Sequence, residues 1–165
     1  MNIPESVSRE TFSPIRKNIS HEYIRGLITG EGCFSFCSVP NIDKSGNRIK
    51  VKIPTFALIM HERDTALVTA VRDYLKIDKK LYHYGPYRND GVKRGGTIRL
   101  VIRDFGTLKN IIIPLFYDKL IGYKAEQFEI WLNKIGEDPD VAKGYELLYR
   151  LHKKGYFREN PKFVS

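Results

Sequence analysis

A chain of 165 residues with 42% hydrophobic and 12% aromatic side chains can bury the core of one domain, which excludes a disordered or low-complexity polypeptide. Lys and Arg total 28 against 19 acidic residues, a formal charge of +9, which suits a polyanionic partner because phosphate contacts release condensed counterions. Charge alone fits a generically soluble basic protein equally well. No apolar run is long enough to span a bilayer and the polar N-terminus is no secretory signal, so no membrane partner is expected. The two cysteines, Cys33 and Cys37, are too far apart on a strand, at roughly 13 Å, to form a disulfide, and are too few for a zinc site. They indicate an intracellular protein, with organelle and prokaryotic cytoplasm not distinguishable.

In chain order, residues 1–19 lack helical periodicity, contain Pro4 and Pro14, and read as an N-terminal arm. Ser20 is a good N-cap for a helix over His21–Gly30 that offers Tyr23, Ile24, Leu27 and Ile28 for packing. Residues Cys33–Val39 alternate as a strand, and Asp43, Ser45, Gly46 and Asn47 make residues 41–48 a hairpin loop before a returning strand over 49–60. Asp64 caps a second helix with Leu67, Val68, Val71 and Leu75 at helical spacing. Residues 79–87 and 97–102 form a second strand pair joined by a basic, glycine-rich loop. Asp104 caps a helix through Leu108, Ile111 and Ile112 that Pro114 is expected to stop. A further helix follows over 123–135, and Asp138-Pro139 is expected to open a last one carrying Val141, Tyr145 and Leu148. One domain over 20–155 and a C-terminal tail over 156–165 complete the chain. Helix, hairpin, helix, hairpin, then helices is an α+β order with a largely antiparallel sheet.

The most informative string is Ile24-Arg-Gly-Leu-Ile-Thr-Gly-Glu-Gly32. Gly26 and Gly30, four apart, share one helix face and let a second helix backbone approach, with Leu27 beside them. Glu31 falls where helix becomes strand, between two glycines, where an acid next to free backbone carbonyls can hold a hard divalent cation. A solvated glutamate in a glycine-rich turn is the plain alternative.

The whole string resembles the LAGLIDADG motif of homing endonucleases, with Gly26, Leu27, Ile28, Gly30, Glu31 and Gly32 in register and Glu in place of the final Asp. Arg25 and Thr29 depart from it, standing where the family has a small residue and often an acid. Residues 56–64 resemble the family's second-strand-to-helix segment, and 111–124, ending Leu120-Ile-Gly-Tyr-Lys124, the stretch that delivers an active-site lysine. The resemblance implies the αββαββα fold, whose antiparallel, saddle-shaped sheet lies on the major groove of double-stranded DNA. A single motif implies a homodimer through the Ile24–Gly32 helix, at a long pseudo-palindromic site. It further implies Mg²⁺ (or Mn²⁺ or Ca²⁺) held by Glu31 and the Gly30 carbonyl, and Lys124 stabilising charge or positioning water. The activity implied is a staggered double-strand break with 3′ overhangs. Some members place a glutamine where Met60 stands.

Thr97, Arg99 and Arg103 share one strand face, joined by Ser35, Cys37 and Asn41 of the first hairpin, and these are expected to face the groove. Thr55, Tyr82 and Tyr84 are further candidates on the strands. Loop residues Lys44, Arg48, Arg88, Lys93 and Arg94 are placed to bind phosphates. Lys50 and Lys52 alternate in phase with Phe56 and Leu58, so a bulge near Pro54 is expected to bring them to the DNA side. The strings His21-Glu22 and His61-Glu62 lack the second histidine of a zinc-protease motif, having Arg25 and Thr65 there, and no P-loop is present. The same fold could instead serve as an RNA maturase aiding intron splicing, or as a non-catalytic DNA-binding module.

Overall fold

The computed structural model describes residues 18–86 and 95–164. Helix α1, His21–Glu31, starts where the Ser20 hydroxyl accepts a hydrogen bond from the Tyr23 amide at 3.0 Å, and it passes directly into strand β1, Gly32–Ile42. Strand β2, Arg48–His61, returns antiparallel to β1. Asp43 organises the turn between them by accepting from the Ser45 and Asn47 amides, with Gly46 at φ +83°. Helix α2 is Thr65–Tyr74, β3 is Tyr82–Tyr84 and β4 is Thr97–Ile102. Strand order is β1-β2-β4-β3, and every neighbouring pair is antiparallel. The class is therefore α+β with a four-stranded antiparallel sheet, as the element order implies. The second hairpin is shorter than expected, with three residues of β3 in place of nine.

Sheet register separates two faces. Phe34, Phe56 and Ile102 form one row and Leu58 and Leu100 another; all are buried and packed under the helices. Phe34 is the hub, its ring centroid 4.9–5.8 Å from those of Phe56, Phe116, Phe128 and Trp131. The helix after Asp104, α3, runs as three contiguous pieces, Phe105–Thr107, Leu108–Ile112 and Ile113–Phe116. Contrary to expectation, Pro114 does not stop it. The middle piece is a wide π-type turn, with the Ile113 amide reaching back to the Leu108 carbonyl, and the proline sits at the start of the next turn, where an amide is dispensable.

Helix α4, Tyr123–Glu137, crosses β1 and buries Phe128, Trp131, Leu132 and Ile135. The Asp138-Pro139 step does not open a helix as expected. Asp138 instead binds Lys52 Nζ at 2.7 Å, and residues 140–142 run beside β2, the Lys52 amide donating to the Asp140 carbonyl and its carbonyl accepting from Ala142. Helix α5, Glu146–Lys153, begins only after the tight turn Lys143–Tyr145, and α6 is Tyr156–Glu159. The tail is part of the fold. Phe157 is buried, and Arg25 of α1 donates from Nε to the Leu115 carbonyl (2.8 Å) and from Nη2 to the Phe163 carbonyl (2.7 Å).

The Arg25 contacts carry a consequence for stability. Arg25→Met retains the aliphatic stem but strands the buried Leu115 carbonyl, at about 1–3 kcal/mol. The expected result is a lower denaturation midpoint with earlier proteolytic loss of the segment after Asn160. An unchanged midpoint and digestion pattern would remove Arg25 from the anchoring role.

His152 is buried between the Tyr117 hydroxyl, 2.8 Å from Nδ1, and the Asn133 side-chain amide oxygen Oδ1, 3.2 Å from Nε2. Burial is the main cause that holds its pKa below the ordinary 6.5, with Glu129 opposing. The unfolded chain therefore binds the proton first as pH falls. Stability from this site is complete above about pH 7 and is lost as pH drops through 6.5 toward the lowered value. Denaturation curves between pH 7 and 5 should show this slope. It should be shallower in His152→Gln, with the half-buried His21, also lowered mainly by burial, supplying part of the remainder.

Candidate functional site

Glu31 and Gly32 join α1 to β1 without a loop. The Gly32 amide donates to the Ile28 carbonyl, closing the helix, so the carbonyls of Thr29, Gly30 and Glu31 lie beyond the last intrahelical donor. A Cβ at position 32 would lie 2.4 Å from Ile28 Cγ2 and 2.9 Å from the Ile28 carbonyl oxygen, so only glycine fits. Glu31 is exposed, and its carboxylate makes no ion pair or hydrogen bond among the described residues.

Lys124, in the first turn of α4, extends to this junction and donates from Nζ to the Gly32 carbonyl at 2.5 Å. Two turns along the same helix, Trp131 Nε1 donates to the Ser35 carbonyl at 2.8 Å, so α4 grips β1 at two points. The lysine expected from the resemblance thus reaches, across 92 residues of sequence, the glycine that follows the acid, at one end of the sheet. Trp131 carries no motif signal; the one local cue to it, its place beside Phe128 and Leu132 on the buried face of the helix, indicates packing.

An exposed carboxylate beside unpaired carbonyls is an all-oxygen donor set suited to a hard cation, and it fits the ion implied by the motif as half of a site. Among the described residues of one chain, no group of three or more His, Cys, Asp or Glu side chains gathers to complete it. Beside Glu31, Gly26 and Gly30 are exposed, and a Cβ on either would meet nothing within 4 Å. Leu27 is half-buried against the core. Arg25 points the other way, into the fold, so its bulk does not obstruct the glycine face.

The second face of the sheet carries Cys33, Ser35, Cys37 and Asn41 of β1, Thr55 and Ala57 of β2, Thr97, Arg99 and Val101 of β4, and Tyr82 and Tyr84 of β3. Both cysteines are free thiols. Arg99 pairs with Ile59 and with Tyr82, and its guanidinium carbon lies 4.2 Å above the Tyr84 ring. Thr55 is on this face, but it is only 5% exposed and its hydroxyl donates to the Ile53 carbonyl. Arg103, just past β4, is exposed, with its carbonyl accepting from the Tyr145 hydroxyl.

No bulge occurs near Pro54: the β1–β2 register runs unbroken from Gly32 opposite Leu58 to Ile42 opposite Arg48. Arg48, Lys50 and Lys52 therefore share the helix-side face, contrary to the expected switch. The contradiction between a lysine and a core position disappears because β2 extends past the core. Lys50 and Arg48 are exposed, and Lys52 is held by Asp138, which raises its pKa and lowers that of the acid. Lys44 is exposed in the turn. Arg88, Lys93 and Arg94 lie outside the described residues. Met60 is half-buried on the core face, and no helix is long and apolar enough to cross a membrane among the described residues.

A glycine-faced helix ending on an exposed acid at the rim of an open antiparallel sheet defines the single-motif form of a LAGLIDADG-type protein. The sequence profile described as LAGLIDADG endonuclease matches residues 24–135, and the chain belongs to that family of DNA endonucleases. Its fold is similar to that of the LAGLIDADG homing endonuclease I-LtrWI bound to target DNA (22% identity, 88% of this chain, 45% of that one, TM-score 0.57). It is also similar to the meganuclease I-CpaMI bound to uncleaved DNA (14% identity, 87% and 45%, TM-score 0.58). The homing endonuclease I-TnaI matches over 82% of this chain and 97% of its own, with 22% identity and a TM-score of 0.51. The chain thus spans about half the length of I-LtrWI and I-CpaMI and nearly all of I-TnaI. No curated protein matches it.

The junction generates a paired prediction. Gly32→Ala drives a methyl group into Ile28 and should destabilise the chain by about 1–3 kcal/mol, whereas Gly30→Ala meets open space and should leave its unfolding midpoint unchanged or raised. Denaturation of both variants under dilute conditions checks this, and equal destabilisation would refute the difference between the two positions.

Proposed function

We propose that this chain is a site-specific DNA endonuclease, working as a homodimer joined through the Gly26 and Gly30 face of α1 and making a metal-dependent double-strand break with 3′ overhangs. The observation that carries the reading is the junction itself: an exposed Glu31, unpaired among the described residues, with Lys124 anchored beside it on the Gly32 carbonyl. Two relatives in fold, I-LtrWI and I-CpaMI, are described bound to DNA, and each is about twice this chain's matched span. Two copies of this chain would together match that length.

Glu31 and the Gly30 carbonyl would hold Mg²⁺, which when bound supplies Lewis acidity and lowers the pKa of a coordinated water. Lys124 is fixed through one of its three N–H groups, leaving the ammonium charge to face an anionic phosphate at the same place. The open sheet face lies against the major groove, its polar and basic side chains toward the base edges and its helices away from them. Two-fold pairing about the glycine face would bring two copies of Glu31 together and direct the two sheets along a pseudo-palindromic site.

The test is cleavage of a randomised double-stranded DNA library with Mg²⁺, comparing the natural chain with Glu31→Gln and Gly30→Leu. The expected outcome is sequence-specific breaks with the natural chain, on the order of 10²–10³-fold fewer or none with Glu31→Gln, and unimpaired DNA affinity in that variant. Gly30→Leu, whose Cβ meets nothing within 4 Å among the described residues, should sediment as a monomer and lose cleavage. Uncut DNA under conditions where the chain is folded and dimeric would overturn the endonuclease reading. Cleavage by a Gly30→Leu monomer would overturn the dimer.

A further inference from the structure

We infer that Arg99 reads a guanine in the inner part of each DNA half-site, with Tyr84 and Thr97 as the positioning residues that hold its guanidinium for that contact. The inference rests on the DNA-binding reading above and adds which residue reads a base, which base it is, and where in the site it lies.

Most arginines of the described fold are already engaged. Arg25 binds two backbone carbonyls, while Arg63, Arg72, Arg150 and Arg158 each lie within 4.0 Å of a carboxylate. Arg99 has no acid partner among the described residues. Its Nε donates to the Thr97 hydroxyl at 3.2 Å, and its guanidinium carbon stands 4.2 Å above the Tyr84 ring. The two contacts fix the plane of the group and occupy Nε, leaving both terminal nitrogens without partners among the described residues. Paired, coplanar N–H donors match the O6 and N7 acceptors that only guanine presents in the major groove. A phosphate would be served as well by a mobile, exposed side chain such as Arg48 or Arg103, and has no need of a strand-borne arginine locked against an aromatic ring.

The sheet register gives the location. Arg99 lies opposite Ile59, one residue along from the Leu58–Leu100 pair, and Leu58 lies opposite Gly32, where β1 begins. Arg99 is therefore about two strand spacings, roughly 10 Å, from the helix–strand junction that carries the acid, or about three base-pair steps. The far end of the hairpin, at Asn41, is nine residues along β1 from Gly32, roughly 30 Å away.

The experiment selects bound duplexes from a randomised library, so it needs no cleavage, and compares the natural chain with Arg99→Ala, Arg99→Lys and Tyr84→Leu, each checked for an unchanged unfolding midpoint. The natural chain should require guanine at one position in the inner part of each half-site. Arg99→Ala and Arg99→Lys should lose that preference by about 10–100-fold while keeping the rest of the selected site, and Tyr84→Leu should weaken it. Substituting 7-deazaguanine there should weaken the natural chain and leave Arg99→Ala unaffected. Uniform weakening across all sequences in Arg99→Ala, with a salt dependence shallower by about one ion, would make Arg99 a phosphate contact and overturn the inference. So would a preference lost only at outer positions. If the natural chain selects a site that Arg99→Ala selects unchanged, the Arg99 assignment alone fails. If the natural chain selects no sequence, both it and the DNA-binding reading fail.

Discussion

Glu31 closes a helix and Gly32 opens a strand with nothing between them, and the remaining geometry follows from how tightly that step is made. Any side chain at position 32 would run into Ile28, so the chain can turn from α1 into β1 only if that residue is glycine. Once the turn is made, the pleat puts Phe34 on the buried side two residues later, and Phe34 is the ring around which Phe56, Phe116, Phe128 and Trp131 gather. The same α4 that supplies Phe128 and Trp131 supplies Lys124. Burying the aromatic core thus sets the distance between lysine and acid, and the site needs no separate scaffold. A carboxylate placed by core packing is held more closely than one on a loop, as chemistry at a phosphate demands.

Charge follows a looser pattern. Several cations around the helices and edges sit against acids: Lys52 with Asp138, Lys79 with Asp104, Arg72 with Asp73, Arg158 with Asp118. Exposed pairs of this kind contribute little to stability. Arg48 and Lys50, on the helix side of β2, are exposed and make no ion pair among the described residues. On the open face, Arg99 has a hydroxyl and an aromatic ring as its partners among the described residues. The net charge of +9 is thus spread over both faces rather than confined to the uncovered sheet.

The sequence revealed α1, the two hairpins and the position of the acid because each depends on local rules: a Ser20 cap, period-two alternation, an Asp43 turn and glycines at a junction. Lys124 was legible only through the motif resemblance, since nothing local distinguishes it from a solvated lysine, and its contact with Gly32 joins residues far apart in the chain. The errors share a cause. By its local rule Pro114 is a stop, but a wide turn absorbs it. By its local rule Asp138-Pro139 is a helix start, whereas the partner that decides its role, Lys52, lies far away on β2. Alternation near Pro54 suggests a bulge, yet the strand simply outruns the core, a fact set by where the helices end. Arg25, odd as a motif residue, is explained by carbonyls at 115 and 163.

The glycines of α1 supply a final constraint. Each glycine in a helix interior costs about 0.8–1.0 kcal/mol relative to alanine. At Gly32 the fold itself explains the choice. At Gly26 and Gly30 it does not, because an added methyl group would meet nothing within 4 Å. Nor can one carboxylate and its neighbouring carbonyls fill the six or more oxygen positions that a hard divalent ion takes. On the dimer reading the two deficits have one remedy. A second copy of α1 laid across the glycine face brings a second Glu31 to the first, and the absence of side chains at 26 and 30 lets the two backbones come close enough for both acids to reach the same phosphates. The weakness of the helix within its own chain is then the condition for completing the site between two chains.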